Sequence, residues 1–98
     1  MSQQTPARWL VTYDIVQPRN LGRVFRLLKK NGVPVQYSVF FVPASAVQMG
    51  ALMVQIAKLI DIKTDDIRAY RLPEKAWKVT LGATMIPEDL WIEAKGRL

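Results

Sequence analysis

The chain has 98 residues, with fourteen Lys and Arg against eight Asp and Glu, no histidine, no cysteine, and half its residues hydrophobic. Such a length bounds it to one domain, and a net charge of +6 favours polyanionic partners, nucleic acid ahead of an anionic membrane surface. The missing residue types exclude an imidazole base, a Ser–His pair, a Cys nucleophile, a disulfide and a His/Cys zinc site, and fit a reducing cytoplasm.

Residues 8–15, RWLVTYDI, alternate as a strand, with Trp9, Val11, Tyr13 and Ile15 facing one way and Leu10, Thr12 and Asp14 the other. After Gln17-Pro18, Asn20 is placed to cap a helix running to about Lys30 and stopped by Asn31-Gly32. Leu21, Val24, Phe25 and Leu28 form its apolar stripe, and Arg19, Arg23, Arg26 and Lys30 form a basic ridge on another side. VPVQYSVFFV, residues 33–42, reads as extended and ends at Pro43. A second helix is predicted from about Ser45 to Ile60, with Val47 or Met49, Leu52, Met53, Ile56, Leu59 and Ile60 inward. A polar loop over Asp61–Asp66 leads to a strand from Ile67 to Leu72. Lys78–Ala83 gives a last strand, and Pro87-Glu88-Asp89 starts a short terminal helix.

Strands interleaved with helices on this scale predict an α/β (α+β) sandwich with helices on one face of a sheet. A ferredoxin-like βαββαβ core fits if residues 33–46 hold a hairpin, although no turn signal marks one. The whole chain is then a single domain, with residues 74–98 as a C-terminal extension that supplies an extra strand. Val79, Leu81, Ile86, Leu90 and Trp91 in that extension need burial, which strand addition across a partner subunit would give. No apolar run is long enough to span a membrane, and the N-terminus lacks the order of a signal peptide.

Charge is unevenly placed. Residues 1–60 hold Arg8, Arg19, Arg23, Arg26, Lys29, Lys30 and Lys58 against Asp14 alone. Scattered glycines make no phosphate-binding loop, so what remains for phosphodiester chemistry is carboxylate with a hard divalent cation, Arg and Lys holding phosphates. One carboxylate makes a poor magnesium site. Asp61, Asp65 or Asp66 could join Asp14, a two-fold dimer could supply a second Asp14, or Asp14 could simply pair with Arg19 or cap the first helix.

The stretch YDIVQPRNLGRVFRLLKKNGVPVQYSVFF resembles the N-terminal half of the CRISPR-associated protein 2 family, and LIDIKTDDIRAYRL resembles its later loop and strand. This resemblance implies a ferredoxin-like homodimer that bridges the CRISPR integrase (CRISPR-associated protein 1) during spacer acquisition. It also implies a metal-dependent endonuclease activity on RNA or duplex DNA in several members. Asp14 matches the strand-end aspartate assigned to catalysis and to Mg2+ or Mn2+, held weakly at the dimer interface. Tyr13, Ser38 and Phe40 match supporting positions, and Arg19 matches a basic position after the strand. Where many members carry glutamate after that phenylalanine, this chain has Phe41.

Two other readings remain open. One is a stand-alone toxin-type ribonuclease of the same fold. The other is a non-enzymatic RNA-binding module with Tyr37 and Phe41 stacking bases from one strand face, although VPVQYSVFFV lacks the basic residue and glycines of the RNA-recognition string.

Overall fold

The computed structural model describes residues 4–73. Over that span the chain runs β1 (Arg8–Asp14), α1 (Pro18–Asn31), β2 (Val33–Gln36), β3 (Val39–Pro43), α2 (Ala46–Ala57) and β4 (Asp66–Arg71). The strands form one sheet in the order β2-β3-β1-β4, with every neighbouring pair antiparallel. This is the ferredoxin-like βαββαβ arrangement. The expected extra strand, terminal helix and C-terminal extension fall on residues 74–98, outside the described residues.

Period-two alternation in β1 decides which face is buried. Val11 and Tyr13 point with Phe40 and Val42 of β3 toward Val24 and Leu28 of α1 and Met49, Leu52 and Ile56 of α2. Phe40, Leu28 and Ile56 are fully buried, each stabilising the fold by roughly 1.5–3 kcal/mol relative to exposure. Trp9 joins this layer, and its Nε1 donates to the Ala44 carbonyl at 2.8 Å. Leu10, Thr12 and Asp14 occupy the opposite face, as the alternation predicts.

The helices start differently. Gln17, not Asn20, is the N-cap of α1, with Pro18 at the first turn and no side-chain cap. Proline is tolerated there because the first N–H groups of a helix have no intrahelical partner. Ser45 caps α2 through a reciprocal capping box: its Oγ accepts the Gln48 N–H at 3.1 Å, and Gln48 Oε1 accepts the Ser45 N–H at 2.9 Å. α2 stops at Ala57, three residues short of the predicted end. Met49 takes the inward place, while Val47 is exposed.

The hairpin inside residues 33–46 turns at Tyr37-Ser38, between the paired Gln36 and Val39. Ser38 has φ 64° and is the one non-glycine residue with positive φ among the described residues. A positive φ at the second turn position alone is the type II pattern, which usually recruits Gly or Asn. Serine there leaves no sequence signal. Gly32 ends α1 in an extended conformation, not a left-handed one. It is glycine because a Cβ would collide with the Phe41 carbonyl oxygen and lie 2.8 Å from Val42 Cγ2. The close approach of the α1–β2 junction to β3 requires it.

Candidate nucleic-acid interface

On α1, successive residues rotate by about 100°, which places Arg19, Arg23, Arg26 and Lys30 within an arc of roughly 60°. That arc lies opposite the buried stripe of Leu21, Val24 and Leu28. All four cations are exposed, and so is Lys29 beside them. The described residues contain one ion pair, Arg68 Nε to Asp66 Oδ2 at 3.0 Å, so no carboxylate among the described residues neutralises the ridge. The spacing read in the sequence therefore becomes a continuous positive surface.

Asp14 ends β1 and is exposed, with no ion pair and no side-chain hydrogen bond among the described residues. The two simple accounts of it therefore fail: it neither pairs with Arg19 nor caps α1. The antiparallel β1–β4 register sets it directly opposite Asp66. Like charges in that relation are destabilising, and Arg68 offsets only the Asp66 side.

The other acids considered as companions are occupied. Asp65 accepts the N–H of Val16 at 3.0 Å and of Asp61 at 2.8 Å, and the Thr64 hydroxyl at 3.1 Å. The hydrogen bonds from the Val16 and Asp61 backbone, in that order, hold the Asp65 carboxyl below the ordinary aspartate range. Asp61 accepts the Lys63 N–H at 2.9 Å. The polar loop is thus folded around Asp65 and tied to the residues that follow β1.

The supporting positions do not gather around Asp14. Tyr13 points to the helix-covered face, where burial, and secondarily Tyr37, raises its phenol pKa above the ordinary value. Phe40 is a core residue, 6.2 Å from the Tyr13 ring and 5.5 Å edge-on from the Phe25 ring, measured between centroids. Ser38 lies in the hairpin turn, and its carbonyl accepts the Tyr13 N–H at 3.2 Å. Tyr37 and Phe41 do not share a strand face: Tyr37 stands in the turn at 89% exposure, while Phe41 is 4% exposed. The role of Asp66 opposite Asp14 was not legible in the sequence, since only the strand register reveals it.

Comparison with known proteins decides the family. The profile of CRISPR associated protein Cas2 matches residues 7–80. The chain belongs to that family. A Nitrosomonas europaea protein named CRISPR-associated endoribonuclease Cas2 1 is 38% identical over 90 residues, covering 92% of this chain and 86% of its own length. A Thermodesulfovibrio yellowstonii protein named CRISPR-associated endoribonuclease Cas2 2 is 39% identical over 74 residues, 76% of this chain and 81% of its own. Among solved structures, a hypothetical Thermus thermophilus protein superposes with a TM-score of 0.75 at 28% identity, covering 85% of this chain and 99% of that one. Streptococcus pyogenes Cas2 superposes at 0.64 and 33% identity, covering 68% and 87% respectively. Phe41, where the resemblance led to an expectation of glutamate, lies in register with Leu10 and Val33 on the face away from the helices. A carboxylate at so buried a position would lack the water that solvates its charge.

Proposed function

We propose that the chain acts in CRISPR adaptation as a cytoplasmic, homodimeric nucleic-acid-binding adaptor for the spacer integrase (CRISPR-associated protein 1). The α1 ridge carries this reading, because unneutralised cations in one row follow a phosphate backbone by charge and read no bases. Two-fold symmetry would double it. Leu10 and Val39, half-buried on the sheet face away from the helices, support a dimer, as do the apolar residues of the 74–98 extension. In gel shifts over a salt series, Arg23→Ala with Arg26→Ala should weaken binding similarly for unrelated sequences and flatten the salt slope. Unchanged affinity and slope would remove the ridge from the interface. Sedimentation equilibrium showing only monomer at micromolar concentration would remove the dimer.

A second reading, a divalent-metal-dependent endoribonuclease, draws on the unpaired Asp14 carboxylate and on the names of the relatives. The described part of one chain does not fit a self-sufficient metal site: it holds no group of three or more acidic ligands, and Asp66 is engaged by Arg68. Two Asp14 carboxylates meeting across a dimer, completed by water and phosphate oxygens, would match the oxygen preference of Mg2+ or Mn2+. Asp14→Asn should then abolish metal-dependent cleavage, yet leave duplex binding without metal equal or tighter. Cleavage persisting in a rigorously purified Asp14→Asn protein would place the activity elsewhere.

A further inference from the structure

Beside the ridge, and apart from Asp14, α1 and the β2–β3 hairpin enclose a cleft of about 500 Å³ lined by Tyr13, Leu21, Phe25, Pro34, Gln36, Tyr37 and Ser38. Its volume lies within the roughly 300–1,000 Å³ usual for small-molecule sites. Three of the seven lining residues are aromatic. Tyr37 stands at the rim at 89% exposure, on a turn held by the positive φ of Ser38. An aromatic ring left in water at a hairpin tip contributes little to the fold. The side chains of Gln36 and Ser38 make no hydrogen bond among the described residues, so their donors and acceptors are free at the same rim.

Charge on the flank selects the occupant. Lys29 Nζ sits 5.8 Å from the centroid of the Phe25 ring, which itself lines the cleft. On the helix, Lys29 falls between Phe25 and the Arg19, Arg23, Arg26 and Lys30 row. An apolar aromatic slot bordered on one side by unpaired cations suits a flat ring attached to a phosphate chain. Stacking of bases on aromatic side chains next to a basic track is the general physics of single-strand binding.

We propose that this cleft receives one unstacked nucleobase, laid against Tyr37, from a single-stranded segment whose phosphates run along the α1 ridge. The proposal rests on the nucleic-acid-binding reading and adds to it a site that recognises a base plane. In a paired duplex the bases are stacked on one another, so the cleft discriminates unpaired from paired nucleic acid.

The test uses fluorescence anisotropy with the full chain and four probes: an oligothymidylate, an abasic strand of equal phosphate count, a blunt DNA duplex, and an oligouridylate. Wild type should bind oligothymidylate about tenfold more tightly than the abasic strand. Tyr37→Ala should erase that preference and leave duplex affinity unchanged, whereas Tyr37→Phe, which keeps the ring, should retain it. The exposure of Tyr37 makes a folding defect in Tyr37→Ala easy to exclude by an unchanged melting curve. The oligouridylate shows whether a ribose strand is taken as readily. Duplex binding with no preference for bases over abasic sites, or a preference that survives Tyr37→Ala, overturns the cleft and spares the ridge. Failure of every probe to bind wild type overturns both.

Discussion

Helices α1 and α2 pack on the same face of one sheet, yet only one of them carries charge. Between Ala46 and Ala57, α2 has no ionisable residue, and its outward positions include Val47, Gly50, Ala51 and Val54. The outward side of α1 is a row of cations. Arg19–Arg23, Arg23–Arg26, Arg26–Lys29 and Arg26–Lys30 stand three or four residues apart, where each like-charge pair costs about 0.2–0.5 kcal/mol. No acid in the helix relieves them. The two helices are therefore shaped by different demands. α2, with its capping box, is made to hold together by itself. α1 carries a surface that weakens the isolated molecule and becomes favourable only when a polyanion neutralises it.

That contrast breaks most visibly in binding. Arg23→Glu combined with Arg26→Glu should lower affinity for duplex DNA by at least about tenfold, because it removes two phosphate contacts and adds two repulsions. Val47→Gln with Val54→Gln on α2 should leave affinity within about twofold by the same neutral criterion. Equal losses from the two helices, measured in one gel-shift series, would end the distinction.

Stability separates the helices at their first turns. Ser45→Ala removes the Oγ that accepts the Gln48 N–H and should cost about 1 kcal/mol in urea unfolding. Gln17→Ala should cost nearly nothing, since Gln17 makes no side-chain cap bond. A smaller effect has the opposite sign to the loss of binding: single Arg23→Glu should stabilise the free protein by about 0.5 kcal/mol by turning two repulsions into attractions. A Tm that falls for Arg23→Glu would mean the ridge is not under self-repulsion.

The smallest effect tests the loop between α2 and β4, which Asp65 ties to Val16 just after β1. Asp65 is held as a carboxylate in the fold, below the ordinary value of about 3.9. Its contribution to stability is therefore complete above that value and is lost as pH falls through the lower folded pKa. Tm plotted against pH should drop more steeply below about pH 4 for wild type than for Asp65→Asn. Parallel curves would show that these hydrogen bonds carry no linked stability.

Local period made much of this legible. Alternation in RWLVTYDI set Val11 and Tyr13 on one face and Asp14 on the other, and the first of these faces is the buried one. Spacing of three and four in α1 assigned both Val24 and Leu28 inward and the ridge outward. The second helix was placed from about Ser45, and Ser45 is its N-cap. These patterns depend on side-chain direction within one element, which backbone geometry fixes residue by residue.

What the sequence determined by itself, then, was the kind and facing of each element and the sign of the α1 surface. Only tertiary structure decided what meets what. The Tyr37-Ser38 turn stayed hidden because serine took a positive φ that Gly or Asn usually signals. Gly32 looked like a helix stop, and its actual constraint is a carbonyl of β3 that arrives from nine residues along the chain. Asp14 found neither Arg19 nor a helix to cap, and instead faced Asp66, more than fifty residues away, because the β1–β4 register aligned them. Register and close approach arise from pairing between distant segments, and no periodicity within one segment encodes the partner.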